Sequence, residues 1–344
     1  MNRLTSPALL GVGALALALV QAGSARADAV ADFYKGKTMT VAVAFGAGGG
    51  YDIYARSFSQ YMAKYIPGNP TLLPQFMPGA GGAKAANYLY SVAPRDGTVV
   101  ALLSNAVALA QIITPKEAHY DASKFSFLGR MTDMRSAILV WHTSPVKTLE
   151  DMKTKEVIFG ATGKAGQDYM NPMLMRNILG YKAKIVAGYR GSNEINLAME
   201  KGEVQAMANS WGSVRTRLGH WLTSKQAYPI AMVGLTPAPD VPDVPLVMNL
   251  AKNAEDKAVL ELMASTTELG RAFATPPGVP ADRVAAMRVA FKKMMEDKTF
   301  LEEAKNRKMD IEYLSAEAVE KVVANTVKAP PKVVARFKQA LELK

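Results

Sequence analysis

The sequence predicts an α/β protein with mainly parallel sheets, and two observations carry that prediction. Beyond the first thirty residues, short apolar runs of strand length alternate with stretches of helix length whose apolar residues fall at three- and four-residue spacing. Gly-rich turns stand between several of these pairs, and no tandem repeat or low-complexity tract interrupts the alternation.

The first thirty residues belong to export rather than to the fold. Asn2 and Arg3 give a short positive start, and a mostly apolar run from Leu9 to Ala22 follows. Ala25-Arg26-Ala27 then offers small residues at both positions that a signal peptidase reads. The apolar run is shorter than the roughly 20 residues needed to cross a bilayer. Met1–Ala27 is therefore expected to be a cleaved signal peptide, leaving Asp28 first in a periplasmic chain. No cysteine follows the run, so no lipidated N-terminus is expected. The remaining length is enough for two packed domains.

Elements follow in order. Thr38–Phe45 reads as a buried strand and Ile53–Ile66 as a helix, with Asp52 in the N-cap place. Strand Leu72–Phe76, turn Pro78–Gly82, helix Ala83–Val92 and strand Val99–Leu103 make a second unit. Val157–Gly160 reads as a strand, Ala161–Asp168 as a polar loop and Tyr169–Leu179 as a helix. Strand Lys184–Ala187, helix Asn193–Lys201, strand Val204–Ala208 and helix Val214–Leu222 continue the pattern. Thr236–Pro245 holds four prolines and reads as a surface connection. Helices announced by Thr299-x-x-Glu302 and by Ser315 fill the C-terminal third.

Composition removes several functions. The chain has no cysteine, which excludes disulfides, thiol catalysis and thiolate metal sites. The net charge is +11, but lysine and arginine are scattered without a run of five or six, so nucleic acid is not an expected partner. A basic surface would also favour anionic solutes. His119, His142 and His220 lie far apart in sequence, without the spacing of a metal pair. No Gly-x-Ser-x-Gly nucleophile elbow occurs.

The sharpest local feature is Phe45-Gly46-Ala47-Gly48-Gly49-Gly50-Tyr51-Asp52, between a strand and a helix. Glycine lets the backbone approach a ligand closely, and the helix start behind it carries partial positive charge, which suits phosphate or carboxylate. Nucleotide fingerprints fail on spacing. After Gly46 and Gly48 the third glycine position is Tyr51, and after Gly79 and Gly81 it is Lys84. Gly160-Ala161-Thr162-Gly163-Lys164 has two residues between its glycines where a Walker loop has four.

Taken together these loops resemble the substrate-binding receptors of tripartite tricarboxylate transporters, the Bug family. The resemblance runs over essentially the whole chain after the leader. It includes Val43–Asp52 with Ala55-Arg56, Pro78–Gly82 and Ala93-Pro94-Arg95-Asp96-Gly97-Thr98. Further on it includes Tyr189-Arg190-Gly191, Gly202-Glu203-Val204, Asp240–Pro245 and Pro277-Gly278-Val279-Pro280. It implies a periplasmic binding protein of type 2, a Venus flytrap of two α/β domains crossed twice by the chain, near Gly129–Leu139 and Tyr228–Leu235. The implied division is 28–131 plus 236–344 for one domain and 132–235 for the other. It also implies a receptor without catalytic activity, cofactor or metal. Such a receptor takes a small carboxylate and serves transporter membrane subunits, and a monomer is expected. A secreted α/β hydrolase is the competing class.

The resemblance assigns ligand contact to Phe45, Ala47, Gly48, Gly49, Gly50, Tyr51 and Asp52 on one side. Thr162, Gly163, Lys164, Gly166, Gln167 and Asp168 face them, with Ser104, Arg190, Asn209 and Trp211 completing the set. Ala44 stands where the family usually has proline and Tyr51 where it has a small residue. Asn209 stands where an acidic residue often reads a ligand ammonium. A di- or tricarboxylate or an aromatic carboxylate is therefore expected rather than an amino acid.

Overall fold

A computed structural model describes residues 29–343; the expected signal peptide, Met1–Ala27, and the Asp28 start lie outside them. Among the described residues eleven strands form two sheets. The first has six: β1 (Thr38–Val43), β2 (Thr71–Phe76), β3 (Val99–Leu102), β4 (Ser126–Arg130), β10 (Ala272–Thr275) and β11 (Leu314–Ser315). Their spatial order is β11-β4-β10-β3-β1-β2. The second has five: β5 (Ser136–Trp141), β6 (Val157–Ala161), β7 (Ala183–Ala187), β8 (Ala206–Ser210) and β9 (Ala227–Val233), in the order β7-β6-β8-β5-β9.

Both sheets are mixed, which corrects the expectation of mainly parallel ones. β1 pairs in parallel with β2 and β3, and β6 with β7 and β8, as strand–helix–strand units require. β10 and β11 run antiparallel to their neighbours β3 and β4, and β5 runs antiparallel to β8 and β9. The antiparallel strands flank the points where the chain leaves one sheet for the other. A crossing strand enters the second sheet from its opposite end.

Alternation along the central strands covers both faces. Met39, Val41 and Val43 of β1 and Val100 and Leu102 of β3 pack under Phe58, Phe273 and Phe291. Ala42, Val99 and Ala101 face the other way, toward Leu89, Val319 and Val323. In β5, Ile138 and Val140 face one cluster and Leu139 and Trp141 the opposite one. A period of two with apolar residues on both faces is what a sheet covered by helices on each side demands. Helices Ala254–Ser265 and Pro331–Ala340 supply Val259, Leu260, Met263 and Phe337 to the core of the second sheet, although both come after its last strand in sequence.

Local starts also differ from expectation at two points. Helix Gly50–Met62 is capped by Gly49, and Asp52 lies inside its first turn, accepting from the Gly48 amide at 2.8 Å. Helix Lys298–Asn306 is capped by Asp297, whose carboxylate accepts from Thr299 and Phe300, so Thr299 is not the cap. Ser315 does cap helix Ala316–Val327. The expected helix Val214–Leu222 is two short ones, Trp211–Arg217 and Gly219–Thr223.

Residues 131–135 carry the chain from β4 to β5, and 234–271 bring it back from β9 to β10. The two crossings are hydrogen-bonded to each other. Met131 N donates to Arg271 O at 3.0 Å, Arg271 N to Thr132 O at 2.9 Å and Met134 N to Thr267 O at 2.9 Å. Gly270, at φ +43°, makes this approach possible: a Cβ there would lie 1.9 Å from Thr132 O.

Candidate functional site

A cleft lies between the two sheets' lobes, at the C-terminal ends of β1, β3, β6 and β8, where α/β sheets place their ligands. It holds roughly 570 Å³ of space not filled by protein atoms, counting the part open to solvent. The first lobe contributes Phe45, Gly46, Gly49, Gly50, Tyr51 and Asn105. The second contributes Thr162, Gln167, Asp168, Ser192, Ile195, Ala208, Asn209 and Ser210. Met134, Ser136 and Arg271 come from the crossings and the adjoining strand.

Three helices of eight residues or more begin on this cleft. Gly50, Gln167 and Ser192 are the first residues of Gly50–Met62, Gln167–Asn177 and Ser192–Glu200, and all three line it. The first N–H groups of a helix have no partner inside it, and the summed peptide dipoles put partial positive charge there. Glycines at 49, 166 and 191 cap these helices without side-chain cap bonds. No cap side chain is bonded over these starts; the acidic residue in each first turn, Asp52, Asp168 and Glu194, accepts instead from the loop amides of Gly48, Thr162 and Arg190.

A buried polar chain joins the lobes. Asn105 N donates to the Tyr51 hydroxyl at 3.1 Å, Asn105 Nδ2 to Gln167 Oε1 at 3.0 Å, and Gln167 Nε2 to Thr266 Oγ1 at 3.1 Å. The Tyr51 ring packs on Phe45, centroids 4.5 Å apart, and burial pushes its phenol above the usual range, so it stays neutral. Asp168 accepts from Thr162 N at 2.8 Å and Thr162 Oγ1 at 2.9 Å. Desolvation raises its carboxyl to about 6, against the downward pull of those two donors.

Of the residues named from the sequence, Phe45, Gly49, Gly50, Tyr51, Thr162, Gln167, Asp168 and Asn209 line the cleft together. The others lie around it. Ala47 is exposed at the loop tip and Lys164 is exposed beyond the facing loop. Gly48 sits against Asn193, and Asp52 ties the Gly48 amide to Arg56. Ser104 packs beneath Gly82, while Gly163 and Gly166 meet Gly81. The Arg190 side chain is exposed beside Glu194, and its carbonyl accepts from Gly46 N at 2.9 Å. Trp211 is buried in the neighbouring wall, its indole N–H donating to both Asp240 oxygens at 2.9 and 3.0 Å.

Gly46, inside the Phe45–Asp52 loop, lines the cleft too, whereas sequence reasoning missed Asn105, Met134, Ser136, Ser192, Ile195, Ala208, Ser210 and Arg271. Asn105 and Ser210 were within reach of a strand-end rule, since each stands at or just past the end of a strand. Arg271 has no local signal. It is brought in by the second crossing.

Two lobes that close a cleft lined by helix starts define the class, a solute-binding protein of the Venus flytrap fold. Solved structures agree on that fold. The periplasmic binding protein BugD superposes with a TM-score of 0.70 at 20% identity, covering 89% of this chain and 98% of that one. MatC from Rhodopseudomonas palustris, with bound malate, gives 0.69 at 20% identity over 89% and 99%. A further R. palustris protein, with adipate, gives 0.68 at 15% identity over 89% and 96%. Residues 55–338 match the profile of the tripartite tricarboxylate transporter family receptors, and the chain belongs to that family. A curated relative from Agrobacterium vitis, described only as a UPF0065 protein, is 25% identical over 222 residues. That match spans 63% of this chain and 62% of the relative's own length. Among the described residues no helix is long and apolar enough to cross a membrane, and no three His, Cys, Asp or Glu side chains group as metal ligands.

Proposed function

We propose that the protein is an exported receptor that captures a small carboxylate between its lobes and delivers it to the membrane subunits of a tripartite tricarboxylate transporter. The observation that carries this is the meeting of three uncapped helix starts, Gly50, Gln167 and Ser192, on one cleft between the lobes. Each start favours an anion by about 0.3–1 kcal/mol, more where water is excluded. Malate and adipate in two structures of the same fold point the same way. On this reading the ligand-facing residues are those the two Gly-containing loops bring to the cleft, together with Asn209. The lobes are 28–131 plus 236–344 and 132–235, except that helices Ala254–Ser265 and Pro331–Ala340 pack on the second lobe, and Met1–Ala27 is removed on export. The chain acts as a monomer and transforms nothing. Asn209 offers a ligand ammonium no charge, and the Asp168 carboxyl in the cleft is already engaged by Thr162, which favours a di- or tricarboxylate or an aromatic carboxylate over an amino acid.

A thermal-shift and calorimetric screen of the exported protein tests the reading, using malate, adipate, citrate, benzoate, aspartate and glutamate. A bound carboxylate at a hundred times its Kd stabilises the protein by about 2.7 kcal/mol. No stabilisation by any of them, or turnover of an ester abolished by one substitution in the cleft, overturns the assignment. Tighter binding of aspartate or glutamate than of the others refutes the ligand class alone.

A further inference from the structure

Two arginines are buried among the described residues, Arg130 at 4% and Arg271 at 2% exposure, and their surroundings differ. Arg130 has the Glu268 carboxylate at 3.7 Å and donates to the Glu268 carbonyl at 2.7 Å. Arg271 has no ion-pair partner among the described residues, and its neighbours are neutral. Nη1 meets Met134 Sδ at 2.5 Å, Nη2 donates to Ser213 Oγ at 3.2 Å, and the guanidinium lies 3.9 Å from the centroid of the Tyr51 ring. Nε has no hydrogen-bond partner among the described residues.

A guanidinium keeps its charge at any working pH and carries five N–H donors. Burying that charge without a counter-ion is strongly unfavourable, because desolvation is not repaid by neutral contacts. The tyrosine face offsets part of it. The side chain is held in place from behind, since the Arg271 backbone is bonded to Thr132 and Met131 of the first crossing. It opens on the cleft at the start of helix Gly50–Met62, with Nη2 3.2 Å from where a Cβ on Gly50 would stand. The second lobe presents the starts at Gln167 and Ser192, and Phe45, Ile195 and Met134 make the apolar walls. Positive charge therefore faces the cleft from Arg271 at the crossing and from the helix starts of the second lobe, where Asp168 is the one acidic side chain in the lining.

We propose that Arg271 is the direct counter-ion of one anionic group of the ligand. The amides at Gln167 and Ser192 hold a second anionic group, so the site selects small dianions over monoanions of equal length. This rests on the carboxylate-receptor reading above. Met134, a flexible thioether, is the neighbour that yields when a carboxylate takes its place against the guanidinium.

Calorimetry with succinate and adipate against butyrate and hexanoate tests it, on wild type, Arg271→Met and Arg271→Lys. Wild type prefers the dianion of each pair by at least about tenfold. Arg271→Met lowers dianion affinity by about 10- to 150-fold and monoanion affinity by less than about threefold, and Arg271→Lys recovers part of the difference. Unchanged dianion binding in Arg271→Met, or equal losses for both classes, overturns the proposal while leaving the receptor reading intact. A wild type that binds neither class overturns both. Circular dichroism and ligand-free melting check folding. If Arg271→Met does not fold, Arg271→Lys alone decides, and a dianion preference equal to wild type overturns the proposal.

Discussion

Gly49 has φ −92°, an ordinary backbone that any residue adopts, so its glycine is needed for space and not for conformation. A Cβ at 49 would stand 2.9 Å from Ser192 Oγ, across the cleft. Gly49→Val should lower carboxylate affinity at least about tenfold by holding the lobes apart, with the circular dichroism unchanged. Arg190→Ala is the control: its side chain is exposed and only its carbonyl bridges to Gly46, so affinity should stay within about threefold. Equal losses in both variants would defeat the steric account. Asp168 gives a pH test. Its folded pKa, about 6, lies above the ordinary 3.8, so its contribution to stability is fully present below about pH 4 and is lost as pH rises through 6. A bound anion nearby favours the protonated form further, so carboxylate affinity should rise as pH falls from 7.5 to 5. Asp168→Asn keeps an oxygen for the Thr162 amide and should flatten that rise; an unaltered pH profile in the variant would assign the titration elsewhere.

Elements show why part of the molecule was legible in the chain and part was not. The strand–turn–helix units at 38–62, 71–91, 157–177 and 183–200 announce themselves through apolar runs, glycines and helical periodicity. β4, β5, β9 and β10 do not, because the chain passes from β4 directly to β5 and from β9 through a long connection to β10, outside the repeating strand–turn–helix pattern. Their antiparallel places are set by where the chain changes sheet, which is a property of the tertiary fold. The same holds at the site. Phe45, Gly49 and Thr162 sit in loops with a glycine signal, whereas Arg271 is one arginine before a strand, given its position by contact with residues far away in sequence. That contact depends on Gly270. Gly270→Ala combines a left-handed φ with a Cβ 1.9 Å from Thr132 O. It should cost about 2–4 kcal/mol in urea unfolding and lower ligand affinity as well, because it moves the crossings and Arg271 together. A stability loss below about 0.5 kcal/mol would show that the crossings separate without cost.

At the scale of the whole molecule, the two lobes meet along a rim made of backbone. Gly46 N donates to Arg190 O, and Gly81 at φ +64° lies so close to the second lobe that a Cβ would be 2.0 Å from Gly166 N. On the far side, helix Trp211–Arg217 docks on the segment after helix Lys298–Asn306, with Arg215 on Asp310 at 2.5 Å and Thr216 Oγ1 donating to Lys308 O at 2.8 Å. Of these residues only Gly46 also lines the cleft, and Gly81 and Gly166 stand outside it. Gly81→Ala should therefore weaken every ligand by a similar factor, at least about tenfold, without changing their rank. Loss confined to one ligand would show that the rim also reads chemistry. The glycine rim has a consequence for descent. The glycine part of the closure is written in main-chain atoms that a mutation at Met134, Ile195 or Ala208 leaves alone. A lineage can therefore exchange one solute for another through the interior while the mouth stays the same, and diet becomes a heritable trait that drifts without endangering the trap.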